Sequence, residues 1–292
     1  MGAVGTSSST LLPCYWENGA LYTLPAGGNA YGGASGAAVD GLGNLYITGY
    51  LGSSSSSYKP YYWEGGTANA LPVGSNQWGW TNGIAAVSGT IYIAGAEGSS
   101  GSAEVPCYWT VGATSATSLP MMNGNSYGWA RGVGTASGNI YIAGTVGSSS
   151  SSYQPCYWVV GGSTPTLLPG TNTWGYARSV NVNSTTAYIG GTEGTSSSSA
   201  WPTYWTVEGT SATNLSIGGN AYFWNYWTAV DSGGNIYTPG SVGTSSSTPV
   251  PCYWMNASLN TLPIGSQNSI SEQVRGIAVK PLPAPGSSGA EQ

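Results

Sequence analysis

The sequence predicts an all-β fold, a six-bladed β-propeller whose four-stranded blades repeat about every 47 residues. A Pro-x-Tyr-Trp element carries the repeat, and successive copies begin 47, 46, 49, 47 and 49 residues apart. Short runs rich in Tyr, Trp and β-branched residues, closed by Gly or Pro, indicate strands rather than helices. One such unit cannot bury both of its faces, so the units are expected to stack around an axis. The copies begin at Pro13, Pro60, Pro106, Pro155, Pro202 and Pro251.

Each unit predicts the same four strands in order. A loop holding aromatic residues precedes inner strand A, such as Gly83 to Val87, and a turn rich in Gly, Asn and Asp follows, as at Asp231 to Asn235. Strand B comes next, and a Gly/Ser loop leads to strand C with its Tyr-Trp pair. Strand D ends near Leu-Pro. Strand B is expected at Leu45–Ile47, Ile91–Ile93, Ile140–Ile142, Ala187–Ile189 and Ile236–Thr238.

The two ends of the chain are predicted to share one blade. Gly2-Ala3-Val4-Gly5 aligns with Gly144-Thr145-Val146-Gly147, so the chain starts inside a strand B, and the sixth strand A is Arg275–Val279. We therefore expect one propeller over residues 1–280, with a closing blade made by 1–25 and 274–280 and a flexible tail at 281–292. Only Met1 to Val4 is available at strand B of that blade. Either the sequence is cut from a longer chain, or the gap accepts a strand from a partner, which would be self-association.

The A–B hairpins resemble a known repeat family. The runs GAAVDGLGNLYITGY, from Gly36 to Tyr50, and AVDSGGNIY, from Ala229 to Tyr237, resemble the bacterial β-propeller repeats called SBBP and are similar to NHL repeats. The C–D strands, with Pro-Cys-Tyr-Trp and then Leu-Pro, are more similar to HAF-type bacterial repeats. The resemblance implies a propeller that acts mostly outside the cytoplasm, and it implies no shared chemistry.

Composition narrows the partners and the compartment. Charged residues make up only 5% of the chain, and ten acids outnumber five cations for a net charge of -5. So few cations cannot neutralise a run of phosphates, so we expect no nucleic-acid partner. No apolar run approaches the roughly 18 residues that cross a bilayer, so no membrane insertion is expected. The Lys-poor surface, rich in Ser, Thr and Tyr, predicts an extracellular or cell-surface protein, and the four cysteines are expected to be free and buried.

The loops between strands D and A provide the candidate binding residues. Five of them place an asparagine beside one or two aromatic residues, and the sixth, Gln267 to Ser271, has no aromatic residue. Aromatic faces pack against the C–H groups of a sugar ring, and amides supply directional hydrogen bonds. This pattern predicts a lectin-like or adhesive surface that binds a glycan or cell-surface polymer. The predicted ligand-binding residues are Asn29, Tyr31, Asn76, Trp78, Trp80, Asn125, Tyr127, Trp129, Arg131, Asn172, Trp174, Tyr176, Arg178, Asn220, Tyr222 and Trp224.

Two alternatives stay open for these residues. The aromatics could instead fill the spaces between blades, which would favour a non-catalytic structural or protein-interaction scaffold of a cell surface or filament. Solvent-open rings of Trp80, Trp129 and Trp224 would favour binding, and buried ones the scaffold. Arg131, Arg178 and Arg275 share the column before strand A, where they could hold an anionic group such as a sugar carboxylate or lie over neighbouring rings.

Catalytic patterns are missing from the sequence. Without histidine there is no His-based triad and no His metal site, and no Cys-x-x-Cys pair occurs. Glu97 and Glu193 share a column but lie two blades apart, beyond the roughly 5 to 9.5 Å that glycoside hydrolysis needs. Asp40 and Asp231 fall in A–B turns, where capping the turn is sufficient reason for them. The sequence therefore predicts no enzyme, no metal and no cofactor.

Overall fold

Strands make up the regular structure of the chain. The computed structural model describes residues 1–7, 10–54, 57–76, 78–99, 104–122, 124–149, 152–170, 174–183, 185–196, 199–245 and 249–263. Within these ranges there is no helix, and hence none long and apolar enough to cross a membrane. The predicted sixth strand A, the sixth aromatic-free loop and the tail lie outside the described residues.

Strands in chain order form a repeating series. The first eleven are β1 (Gly2–Ser7), β2 (Thr10–Glu17), β3 (Ala20–Thr23), β4 (Tyr31–Val39), β5 (Leu45–Ser54), β6 (Ser57–Glu64), β7 (Thr67–Ala70), β8 (Trp78–Val87), β9 (Thr90–Gly98), β10 (Glu104–Thr110) and β11 (Thr117–Ser118). They continue with β12 (Tyr127–Ala136), β13 (Asn139–Ser149), β14 (Ser152–Val159), β15 (Thr166–Leu167), β16 (Trp174–Asn183), β17 (Thr186–Ser196) and β18 (Ser199–Thr206). The last are β19 (Ala212–Asn214), β20 (Tyr222–Asn225), β21 (Ala229–Val230), β22 (Ile236–Gly243), β23 (Val250–Met255) and β24 (Ser258–Thr261).

These strands pair as antiparallel sheets in the predicted A-B-C-D order. Strands β8–β11, β12–β15 and β16–β19 each form a 4-stranded sheet, and β20–β24 form a 5-stranded one in which the inner strand is split into β20 and β21. Strands β1–β7 form a 7-stranded sheet, in which β1–β3 join β4–β7 through one parallel pair, Leu11 with Tyr31. This is a propeller-type architecture. The number of blades and the closure of the ring stay predictions.

The tryptophan of five of the six Pro-x-Tyr-Trp elements joins its repeat unit to the preceding unit. These five indoles are at most 2% exposed, and their Nε1 atoms donate to a carbonyl just after the end of strand D of the preceding unit. The pairs are Trp63 with Pro25 at 2.8 Å, Trp109 with Pro72 at 2.7 Å, Trp158 with Pro120 at 2.8 Å, Trp205 with Pro169 at 2.8 Å and Trp254 with Ser216 at 2.6 Å. The period of the sequence thus reflects one buried, hydrogen-bonded indole at each of these five junctions between repeat units.

The N-terminal strand lies where the alignment predicts. In β1, Gly2 pairs with Cys14, as Gly144 pairs with Cys156 in a complete sheet, so β1 supplies the second half of a strand B. The indole of Trp16, in the remaining Pro-x-Tyr-Trp element, is 50% exposed. All four cysteines are free and buried, as expected.

Candidate functional site

The predicted loop aromatics belong to strands. Strands β4, β8, β12, β16 and β20 begin at Tyr31, Trp78, Tyr127, Trp174 and Tyr222. Each inner strand therefore starts earlier than the sequence predicts and includes the aromatic residue expected in the loop before it. Each of these aromatics pairs with a glycine on strand B, as Trp78 does with Gly98. A facing residue without a side chain leaves room for a large ring, which the alternation of the sequence did not reveal.

Aromatic rings of successive sheets form a surface, here called the aromatic belt, in which ring contacts join the members from Tyr31 to Tyr176 and Arg178 joins these to the pair Trp224 and Tyr226. Trp78 lies 5.4 Å from Tyr58 of the preceding sheet, and Trp80 lies 5.7 Å from Trp129 of the following sheet. Trp129 is in turn 6.4 Å from Tyr176, and the ring planes differ by 17°. The belt consists of Tyr31, Tyr50, Tyr58, Trp78, Trp80, Tyr127, Trp129, Tyr153, Trp174, Tyr176, Trp224 and Tyr226.

A β-bulge directs the arginines into the belt. In four inner strands the register shifts at one residue, which is Ser35, Asn82, Arg131 or Arg178. Bulges of this kind re-aim a side chain without ending the hairpin. The Cζ atom of Arg131 lies 4.7 Å from the centroid of Trp129 and 5.4 Å from that of Tyr176.

Arg178 connects two parts of the belt. Its Cζ atom lies 5.1 Å from the centroid of Tyr176 and 5.3 Å from that of Trp224, which is in the next sheet. Both guanidinium groups therefore lie over neighbouring rings, and their role in holding an anionic group stays a prediction. Arg275, the third member of the column, lies outside the described ranges.

The surroundings of the two arginines disfavour their positive charge. Burial, and next the neighbouring charge of Arg178, lower the pKa of Arg131 to about 9, and burial also lowers the pKa of Arg178. Both side chains stay positively charged at pH 7. Their Nε atoms are inaccessible to solvent and have no hydrogen-bond partner among the described residues.

Glu104 is a residue that the sequence reasoning missed. It begins β10 in the column where the neighbouring sheets have Tyr58 and Tyr153, and it is only 3% exposed. Burial raises the pKa of its carboxyl to about 8, against the opposing effects of a hydrogen bond with Tyr127 and of the charge of Arg131. The available signal was an acidic residue two positions before Pro106, where the two neighbouring repeats have a tyrosine before Pro60 and Pro155. At neutral pH the carboxyl is mostly protonated and neutralises little of the charge of Arg131.

The predicted asparagines mostly serve their own turns. The side-chain amides of Asn29 and Asn220 each donate at 2.7 Å to the carbonyl three residues before them. Asn76 hydrogen bonds with the Glu97 side chain, and the backbone N–H of Asn125 donates to Met122. Asn172 falls outside the described residues. The rings and the arginines therefore come together in one surface, whereas the asparagine amides that are described lie in the turns before it.

A pocket of about 650 Å³ opens at the end of the belt. The residues that line it include Trp129, Arg131, Tyr176, Arg178 and Trp224. Trp224 is 39% exposed, whereas Trp80 and Trp129 are partly buried against each other. The three tryptophans whose exposure separates the two alternatives therefore give different answers. Trp80 and Trp129 pack the sheets together, whereas Trp224 faces solvent.

The remaining acidic residues have structural surroundings. Glu193 is 4% exposed, and burial raises the pKa of Glu97. The Asp40 carboxylate accepts bonds from the backbone N–H groups of Leu42 and Asn44, and the Asp231 carboxylate accepts one from Asn235, so both aspartates cap their turns. Within the described ranges, no group of three or more Cys, Asp or Glu side chains could hold a metal ion.

Comparison with known proteins identifies the class of fold. No family model and no curated protein sequence matches the chain, so the SBBP-, NHL- and HAF-like resemblance stays a prediction. Solved structures do match, at low identity. An ulvan lyase from a new polysaccharide lyase family has 11% identity and a TM-score of 0.51, over 79% of this chain and 68% of that chain.

Two further structures agree with this assignment. A Hadza microbial sialidase has 9% identity and a TM-score of 0.53, over 77% of this chain and 56% of that chain. A putative TolB from Agrobacterium tumefaciens has 8% identity and a TM-score of 0.51, over 83% of each chain. The fold and site thus define a propeller-like all-β protein with an aromatic surface that contains arginine.

The prediction that the protein is not an enzyme is contradicted by these comparisons. The ulvan lyase and the sialidase are enzymes, so the fold is compatible with enzymatic members. The sequence argument failed because it equated catalysis with histidine, a metal or a close carboxylate pair. Tyrosine, arginine and a buried carboxyl such as Glu104 were not considered.

Proposed function

We propose that the chain is a carbohydrate-binding propeller of the cell exterior or cell surface, and that its ligand surface is the solvent-open end of the aromatic belt. The observation that carries the proposal is the 650 Å³ pocket in which Trp224, Tyr176 and Trp129 converge. A concave site with aromatic walls and a few polar groups is typical of small-ligand binding.

Physical chemistry favours a sugar in this pocket. The weakly positive C–H groups of a pyranose ring pack on aromatic faces, and the exposed indole of Trp224 offers such a face. A cation beside the ring adds directional hydrogen bonds to hydroxyl oxygens. The fold neighbours include proteins that act on carbohydrates, which is compatible with this role. The belt crosses several sheets, so an extended glycan could also touch more than one ring.

A glycan-array screen of the full chain beside a Trp224→Ala variant tests the proposal. Trp224 is exposed, so its removal should leave the circular dichroism spectrum unchanged while weakening binding at least about tenfold. Trp201→Ala is the matched control, because Trp201 is 43% exposed and is outside the pocket. Binding that survives in Trp224→Ala, or no binding to any glycan at high protein concentration, would refute the proposal. Bound glycans are also assayed for cleavage, because the fold is compatible with enzymes.

A second candidate function, a protein-interaction scaffold that self-associates, is favoured by the exposed side chains of β2 and β3. Leu12, Trp16 and Leu21 are 37%, 50% and 48% exposed and lie on one face of the N-terminal sheet, because Trp16 pairs with Leu21 and Leu12 stands four residues before Trp16 in the same strand. Apolar residues on a shared face favour a contact with another chain. Sedimentation velocity of the full chain beside a Leu12→Ser/Leu21→Ser variant tests it. A monomer at every concentration would exclude self-association.

A further inference from the structure

Two arginines line the pocket, which a neutral sugar would not require. The guanidinium groups of Arg131 and Arg178 both lie against the ring of Tyr176, at 5.4 and 5.1 Å from its centroid. They project from bulges at the same position of neighbouring inner strands, β12 and β16. Two like charges are thus held close together by the backbone itself.

Holding these charges together costs free energy in the empty protein. Each arginine loses hydration, and the charge of Arg178 acts on Arg131 in the unfavourable direction. Aromatic faces recover part of that loss but supply no hydrogen-bond acceptor. Neither Nε atom has a partner among the described residues, although a buried donor is usually satisfied. A negatively charged group in the pocket, which both arginines line, would offset the cost of the two like charges.

We infer that the ligand is an acidic saccharide, whose carboxylate or sulfate ester lies between Arg131 and Arg178 while its sugar ring packs on Trp224. This inference rests on the proposed function and names its substrate class. Arginine forks bind planar or tetrahedral oxyanions with paired N–H donors, and such bonds are about twice as strong as neutral ones. An anion there would offset both positive charges at once.

The overall charge favours a single localised anionic group. The chain carries ten acids and five cations, and the only other cation among the described residues is Lys59, on the exposed surface. A dense polyanion would meet repulsion outside the pocket, because nothing there would neutralise its further charges. An acidic sugar unit places one charge at the arginines and leaves a neutral ring for the aromatics.

Matched pairs of ligands test the inference by isothermal titration calorimetry. Galacturonate is compared with its methyl ester, and galactose 6-sulfate with galactose, so each pair differs only at the group that carries the charge. The variants are Arg131→Gln and Arg178→Gln, with Lys59→Gln as the control that removes the same charge elsewhere. We expect the acid of at least one pair to bind about tenfold or more tightly than its neutral partner. Each arginine variant should abolish that difference, whereas Lys59→Gln should preserve it.

The outcomes separate this inference from the proposed function. Equal binding of acid and neutral partner, lost in Trp224→Ala but kept in both arginine variants, would overturn the acidic saccharide and leave carbohydrate binding intact. Preference for the acid that survives both arginine substitutions would also overturn it. Loss of all glycan binding would remove the proposed function. Titration with glucuronate alone, monitored by tryptophan fluorescence, would then test whether the arginine pair still binds an anion. If glucuronate changes the fluorescence of the unmodified protein no more than that of Arg178→Gln, the anion site is overturned.

Discussion

The indole Nε1 of Trp158 donates a hydrogen bond of 2.8 Å to the carbonyl oxygen of Pro120, which belongs to the preceding sheet. The indole is 1% exposed, so the bond lies at a closed sheet boundary. We predict that Trp158→Phe lowers the free energy of unfolding by at least about 2 kcal/mol, because the acceptor loses its donor and the smaller ring leaves a space. Urea denaturation measures the change. Trp201→Phe, at a 43% exposed site, should change it by no more than about 0.5 kcal/mol.

Closure of the ring gives a second prediction from the same bond. Pro263 ends the last described strand D, in the position that Pro120 holds, and it is exposed, as is Trp16. If the ring closes, the Trp16 indole donates to the Pro263 carbonyl. Trp16→Phe should then cost about as much stability as Trp158→Phe. A cost as small as that of Trp201→Phe would show that the ring is open at this boundary.

Glycine on strand B is predicted to be indispensable. A Cβ atom added at Gly144 would lie 2.0 Å from the carbonyl oxygen of Trp129 and 2.8 Å from the Cζ3 atom of Trp158, both too close for real atoms. Gly144→Ala should therefore destabilise the protein by about 3 kcal/mol or more. Gly41→Ala is the matched control, since its Cβ would meet nothing within 4 Å. Thermal unfolding of both variants decides the point, and equal midpoints would contradict the packing.

The protonation of Glu104 predicts an unusual pH dependence. Its folded pKa of about 8 lies above the ordinary 4.5, so between these values the folded state holds a proton that the unfolded state has released. Stability from this group is fully present below pH 4.5 and is lost as pH rises through 8, by at most about 1.4 kcal/mol for each pH unit. Glu104→Gln should flatten this slope in urea titrations between pH 5 and 8. A slope unchanged by the substitution would place the carboxyl pKa near its ordinary value.

The sequence predicted the strands better than it predicted their ends. Strand B was found because Ile-Tyr-Ile runs between turn residues leave little choice, and β13 contains the predicted Ile140–Ile142. The inner strands begin earlier in the sequence than predicted, because the bulge at Arg131 interrupts the alternation of buried and exposed residues by which a strand is recognised. The aromatics before it therefore resembled a loop.

The candidate site was predicted in its residue types and not in its arrangement. The sequence placed Trp129, Arg131 and Tyr176 on one face, but it could not reveal that one guanidinium touches rings of three sheets. Glu104 was missed because a repeat analysis looks for what recurs, and this column varies among the repeats, with Leu11, Tyr58, Tyr153, Ala200 and Pro249 in the other copies. Contacts between different units depend on stacking geometry, which no single unit specifies.

The bulge places one residue of each of these four hairpins outside the regular strand pairing. That residue is a serine, an asparagine or an arginine, at Ser35, Asn82, Arg131 and Arg178, yet the strands on either side of it keep the same pairing. A mutation at such a position changes what the surface offers a ligand while the ladder of hydrogen bonds stays intact. Selection could therefore change ligand recognition one sheet at a time without altering the pairing of the strands.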